Sequence, residues 1–283
     1  MVIGGILTAM VTPFDAKGDL DEDATVRLMR FLLENGSDGL VVAGSTGEAA
    51  TLTDEEKVRL WELAVSETPE DALIVAGTGT YDTRHTVELT ERADEAGVDA
   101  MLVVTPYYVK PNRRGLRAHY EAVAAATDRP VILYNIPGRT ALDMPNDVLA
   151  ELAEIDNVQA VKQARYEDLA PIDGLDLLAG NDDVLARVLD LGGTGGILVA
   201  SHLVGREMRR MIDEPDARAE IHESLTDLYK ALTITTNPIP IKAALGLAGH
   251  AVGGLRLPLV EADEQETAAI RGALERHNLL AAV

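Results

Sequence analysis

The chain has 283 residues, 47% of them hydrophobic, and its 47 acidic and 25 basic side chains leave a formal charge of -22. No apolar run approaches the roughly 18 residues that cross a bilayer, and a field of this sign repels phosphate backbones and acidic membranes, so neither membrane nor nucleic acid is expected as a partner. The absence of cysteine removes disulfides, thiolate metal sites and cysteine nucleophiles.

The N-terminal MVIGGILTAMVTPF has no basic leader and reads as a first strand, residues 5–11, of a cytoplasmic protein. Further apolar runs of strand length occupy 39–43, 72–76, 100–104, 131–135, 158–162, 175–179 and 195–200. Helical spacing fills 22–34, 54–66, 83–96, 115–126, 145–153 and 183–191, several of these stretches opened by Asp, Thr or Asn in capping positions. Strands apolar at nearly every position belong to a parallel sheet covered on both faces. Eight of them alternating with helices predict a closed (β/α)8 TIM barrel over 1–223, with a doubly wound open sheet as the alternative. After residue 200 the strand signal stops, and a C-terminal helical appendage is predicted over 224–283.

Barrel enzymes carry their chemistry where the strands end. The second run ends in Ser45 and Thr46, the fifth in YNIPGRT and the sixth on Lys162. A lysine there either lays its stem along apolar surface with its head in water, or enters the barrel mouth, where desolvation frees its amine to attack a carbonyl. Tyr134, at the end of the adjacent run, is either a packing residue or a proton shuttle beside that amine. Arg139 lies in a Pro-Gly turn as a surface arginine or a bidentate carboxylate grip. The six histidines are dispersed without zinc spacing, and the glycine-rich segments match neither a dinucleotide fingerprint nor a Walker loop, so no metal or nucleotide cofactor is indicated.

The segments GSTGEAATLT, GTGT, TPYYVKP, LYNIPGRT, AVKQ and NPIPIKAAL…GGLRLPL, in this order from residue 4 to about residue 258, resemble the dihydrodipicolinate synthase and N-acetylneuraminate lyase family of class I pyruvate aldolases. The resemblance implies a TIM barrel with C-terminal helices and no cofactor beyond a covalent imine of Lys162 with pyruvate. It makes Tyr134 the group that moves protons above the imine. Thr46 and Tyr108 complete the relay, Tyr108 reaching a neighbouring subunit of a homotetramer built as a dimer of dimers. Ser45 and Thr46 hold the pyruvate carboxylate, Ile197 lines the lysine pocket, and Arg139 receives the carboxylate of aspartate semialdehyde.

Several residues depart from the synthase pattern. Ser45 and Gln163 look more like sialic-acid lyases and sugar-acid aldolases, while Ala164-Arg165-Tyr166 replaces the synthase's usual TGD and His202 stands in place of an asparagine. A 2-keto-3-deoxy sugar-acid or N-acetylneuraminate aldolase is therefore the alternative activity, and a non-catalytic sensor is the reading from a different class. Asp54, Lys57, Tyr81 and His85 occupy the positions that grip lysine in lysine-inhibited synthases, which implies weak or absent feedback inhibition.

The acidic residues are scattered through helical segments, as an ordinary solubilising surface or as an adaptation to high salt. The second origin requires the melting temperature to rise with KCl concentration, and a melting temperature that stays flat leaves only the first.

Overall fold

A computed structural model describes residues 2–281. Strands β1 (Gly5–Ala9), β2 (Gly39–Val42), β3 (Leu73–Gly77), β4 (Ala100–Val104), β5 (Val131–Asn135), β6 (Val158–Gln163), β7 (Asp176–Ala179) and β8 (Gly195–Leu198) pair in chain order, all parallel, and β8 closes on β1. The helices between and after them are α1 (Glu22–Glu34), α2 (Asp54–Glu67), α3 (Thr83–Ala96), α4 (Arg113–Ala124), α5 (Pro137–Thr140), α6 (Asn146–Leu152), α7 (Leu185–Asp190) and α8 (Ser201–Asp213). Three more, α9 (Arg218–Ala231), α10 (Ile239–Leu247) and α11 (Glu264–Arg276), follow the barrel. The closed sheet is the TIM barrel that the periodicity predicts, and it excludes the open-sheet alternative. Residues 223 and 224, the expected division, lie inside α9, which packs against both α8 and α11.

Alternation along each strand sorts the core into two layers. Leu7, Val41, Val75, Leu102, Ile132, Leu178 and Ile197 fill the barrel interior. Their neighbours Ile6, Leu40, Ile74, Met101, Leu133, Leu177 and Leu198 face the helices. The pairing of β5 with β6 skips one residue: Val131 opposes Val158, but Ile132 opposes Ala160. Gln159 is therefore an extra residue in β6. It reverses the parity of the strand, so that Val158 packs outward while Ala160 packs inward. With the register restored, Lys162 lies opposite Tyr134 and Gln163 opposite Asn135.

Local sequence sets the helix starts. Thr53 with Glu56, and Asp263 with Glu266, form capping boxes at α2 and α11. The side chain of Asn112 accepts from the Gly115 amide at 3.0 Å, so α4 begins at Arg113, ahead of the expected 115. The expected Pro-Gly turn is one helical turn, α5, begun by Pro137 and ended by Ala141 in the left-handed region.

Carboxylates tie the strand starts together. Asp38 accepts from the Ile6 amide at 2.8 Å, Asp99 from Ile74 at 2.7 Å and Asp176 from Ile3 at 2.8 Å. Ile6 and Ile74 are the second residues of β1 and β3, and Ile3 precedes β1. The substitution Asp99→Ala strands the buried Ile74 amide and is expected to cost about 1–3 kcal/mol of unfolding free energy in urea. A loss below about 0.5 kcal/mol would mean that the carboxylate is replaceable by water.

Candidate active site

The C-terminal ends of the strands surround a cavity of about 350 Å³. Its wall includes Ser45 and Glu48 from the loop after β2, Gly77, Gly79 and Thr80 from the end of β3, Tyr107 after β4, and Tyr134 and Arg139 at and after β5. Asn237, Pro258 and Leu259 close it from the C-terminal segment. Close approach explains the glycine at position 77: an added Cβ would collide with the Ala43 carbonyl at the root of the β2 loop.

Lys162 is only 5% exposed and contacts this wall through Tyr134, its Nζ 4.2 Å from the centre of the phenol ring. Burial pushes the amine down to about 7; Asp182 pulls it up again and Arg139 adds to the depression. Burial also pushes the Tyr134 hydroxyl up to about 12, against the opposing charge of Arg139. Near neutrality about half of the amine is thus uncharged and faces a protonated phenol, which suits nucleophilic attack with proton donation alongside. Of the two readings of Lys162, the buried one holds.

The other expected residues fall in different places. Ser45 is exposed on the cavity wall and Thr46 is buried beside it. Arg139 reaches over the rim, its Nη2 donating to the Asn237 carbonyl at 3.0 Å. Ile197 is fully buried in the barrel interior, in the same apolar cluster as Tyr134. Tyr108 is 89% exposed, away from the cavity of its own chain; Tyr107, the preceding residue, lines the wall and meets Tyr81 edge-on at 5.5 Å.

Most departures from the synthase pattern lie outside this cavity wall. Gln163 belongs to a polar cluster behind β5 and β6, its Oε1 accepting from Asn135 Nδ2 at 3.0 Å and from the Arg165 amide at 3.2 Å. His202 is a brace between β1 and β8: its Nε2 accepts from the Val11 amide at 3.2 Å while Nδ1 donates to the Val199 carbonyl at 2.8 Å. Burial lowers this ring to about 4, which keeps it neutral in both roles. Arg165 pairs with Asp143 and Asp168, and the Tyr166 hydroxyl donates to Asp183.

Three charged groups near the site, Asp182, Glu48 and Lys242, were not singled out in the sequence. Asp182 is buried, accepts from the amides of Val199 at 2.9 Å and Ala200 at 3.0 Å, and is pushed up to about 6 by burial against the pull of those amides. Its position just past the end of β7 was the available signal. Glu48 and Lys242 form a buried ion pair at 2.7 Å. A lone lysine in the apolar PIPIKAAL segment could have announced a paired, buried ammonium.

The model of the dihydrodipicolinate synthetase family matches residues 2–277. The 4-hydroxy-tetrahydrodipicolinate synthase of Heliobacterium modesticaldum is 44% identical, covering 99% of this chain and 97% of its own. Among solved structures, the lysine-bound synthase of Cyanidioschyzon merolae superposes with a TM-score of 0.94 at 39% identity, over 98% of this chain and 99% of that one. The chloride-inhibited synthase of Acinetobacter baumannii complexed with pyruvate gives 0.94 at 34% identity, over 98% and 100%.

Only the free amine attacks a carbonyl. The rate of keto-acid trapping on Lys162 with cyanoborohydride, corrected for the reagent's own pH dependence, should therefore rise through a midpoint near 7 and level off above it. A midpoint near that of an ordinary lysine, about 10, would contradict the desolvated state.

Proposed function

The chain belongs to the dihydrodipicolinate synthetase family, and on this footing we infer that it is a 4-hydroxy-tetrahydrodipicolinate synthase, condensing pyruvate with L-aspartate 4-semialdehyde in lysine and diaminopimelate biosynthesis. It is a lyase of the class I aldolase type. The contact of a desolvated Lys162 amine with the Tyr134 phenol carries the reading.

In the proposed sequence the neutral amine of Lys162 adds to C2 of pyruvate, and loss of water leaves the imine. Tyr134 gives a proton to the departing hydroxyl and takes one back as the cycle proceeds. Loss of a proton from the pyruvate methyl group yields an enamine, whose carbon attacks the aldehyde of the second substrate. The amino group of that substrate then displaces Lys162 from C2, closing the ring and freeing the enzyme.

Ser45 and Thr46, with their backbone amides, would hold the pyruvate carboxylate, and Ile197 would form the apolar floor under the lysine. Arg139, on the cavity rim, would receive the carboxylate of the semialdehyde, a planar task for which a guanidinium is suited. Of the two features that favoured a sugar-acid aldolase, Ser45 lies on the cavity wall, whereas Gln163 serves the scaffold, as does the departure at His202.

Tyr108 would act on a neighbouring subunit. Its ring is uncovered by its own chain and its φ is +68°, a backbone state that costs a bulky residue about 1 kcal/mol or more without outside support. We propose a homotetramer of two dimers, the assembly that the resemblance implies, acting in the cytoplasm without nucleic-acid or membrane partners. At the expected regulatory positions, Asp54 is held by His85 at 2.8 Å and by Lys57 at 3.2 Å. This cluster is already neutralised and offers little to the ammonium of free lysine. Half-inhibition by submillimolar lysine would overturn that reading.

Pyruvate with borohydride should add a single reduced adduct at Lys162, and its absence would end the aldolase reading. Arg139→Ala should raise the KM for aspartate semialdehyde by about tenfold or more, the loss of one charged contact, with little change for pyruvate. Equal small changes for both substrates would remove Arg139 from its assigned role.

A further inference from the structure

The loop carrying Ser45 and Thr46 is fastened to the C-terminal helices by charges that the chemistry at Lys162 does not use. Glu48 and Lys242 meet at 2.7 Å with side chains 1% and 3% exposed, the most deeply buried ion pair among the described residues. Lys242 Nζ also donates to the Gly254 carbonyl at 2.6 Å and lies 4.3 Å above the Phe14 ring. The other Glu48 oxygen accepts from the Arg256 amide at 3.0 Å. The Arg256 guanidinium in turn sits 4.3 Å from the same ring, pairs with Glu56 and donates to the Thr51 carbonyl at 3.0 Å.

Glu48 has φ of +58°, in the left-handed region, so its backbone relaxes unless the surroundings hold it. Its amide donates to the Ser45 carbonyl at 3.2 Å, and Thr12 Oγ1 donates to the Gly47 carbonyl at 2.6 Å. The strained residue therefore closes the turn that carries both hydroxyls. Stability alone does not call for a charged pair here, because apolar side chains of similar volume are often no worse in such a place. Fixing one conformation of the turn is the function left to it.

We propose that Glu48 and Lys242 are positioning residues that hold the turn from Gly44 to Thr51 in the shape that receives the keto-acid carboxylate, so that docking of the C-terminal helices sets the affinity for the first substrate. The proposal rests on the reading of Ser45 and Thr46 as keto-acid contacts. Neither side chain touches the reacting atoms; both act through the turn.

The test compares wild type, Glu48→Gln, Lys242→Met and the double variant E48Q/K242M. For each, the pyruvate concentration that half-saturates cyanoborohydride trapping on Lys162 is measured, with the trapping rate at saturation and its pH midpoint. The expected result is a half-saturating concentration raised about tenfold or more in each variant, with the saturating rate within about threefold and the midpoint unmoved. The double variant is expected to lose no more than the worse single variant, because one interaction is being removed twice. It also leaves no unpaired buried charge, so it reports even where a single variant fails to fold. A folded double variant with wild-type half-saturation overturns the proposal. So does a rate that falls only in proportion to the folded fraction while half-saturation stays put, the mark of a plain structural brace. Wild-type protein that folds yet traps no pyruvate overturns the parent reading of the site, and the proposal with it.

Discussion

An amine kept from water is the constraint on which the rest of this structure depends. Lys162 gives up its proton near pH 7 rather than in the ordinary lysine range because the barrel interior solvates an ammonium poorly. Depressing a lysine that far costs on the order of several kcal/mol for the charged form. The closed ring of strands with its apolar filling supplies such surroundings at a strand end. The partial return from Asp182 and the opposing push from Arg139 are adjustments to a level that burial has already set.

Around that fixed point the polar groups divide into those that face the cavity and those that keep its frame in place. Tyr134, Ser45 and Arg139 belong to the wall. His202, Asp182, Gln163 and Asn135 satisfy backbone and side-chain groups where strands end, and each is hydrogen-bonded within the protein. A rim of many small loops can hold a precise shape only if its buried donors and acceptors are paired. The loop after β2 shows the same pattern, since its left-handed Glu48 is paired with Lys242 of the C-terminal segment.

The barrel was legible because an apolar run covered on both faces has little freedom to be anything else, and the placement of Lys162 at a strand end followed from it. Tyr134 beside Lys162 followed from strand order. What the sequence left hidden was distance across the chain: Asp182 lies 20 residues beyond the lysine it influences, and Lys242 lies 194 beyond Glu48. Local patterns could not say that Gln163 and His202, departures from a familiar motif, point into the scaffold. Tyr108 is left bare by its own chain, so no contact within the barrel speaks to the role that the resemblance implies for it.

The skipped residue in β6 gives the strand a property that no single side chain has. With Gln159 counted out of the ladder, Ala160 and Lys162 turn inward while Val161 packs toward the helices. Were all six residues to alternate without that break, starting from the outward Val158, the same amino acids would present Gln159, Val161 and Gln163 to the interior and send the amine out among the helices. Here the chain encodes its chemistry by counting: the one residue left unpaired in a six-residue strand, as much as the identity of any member, decides which face of the wall carries the amine.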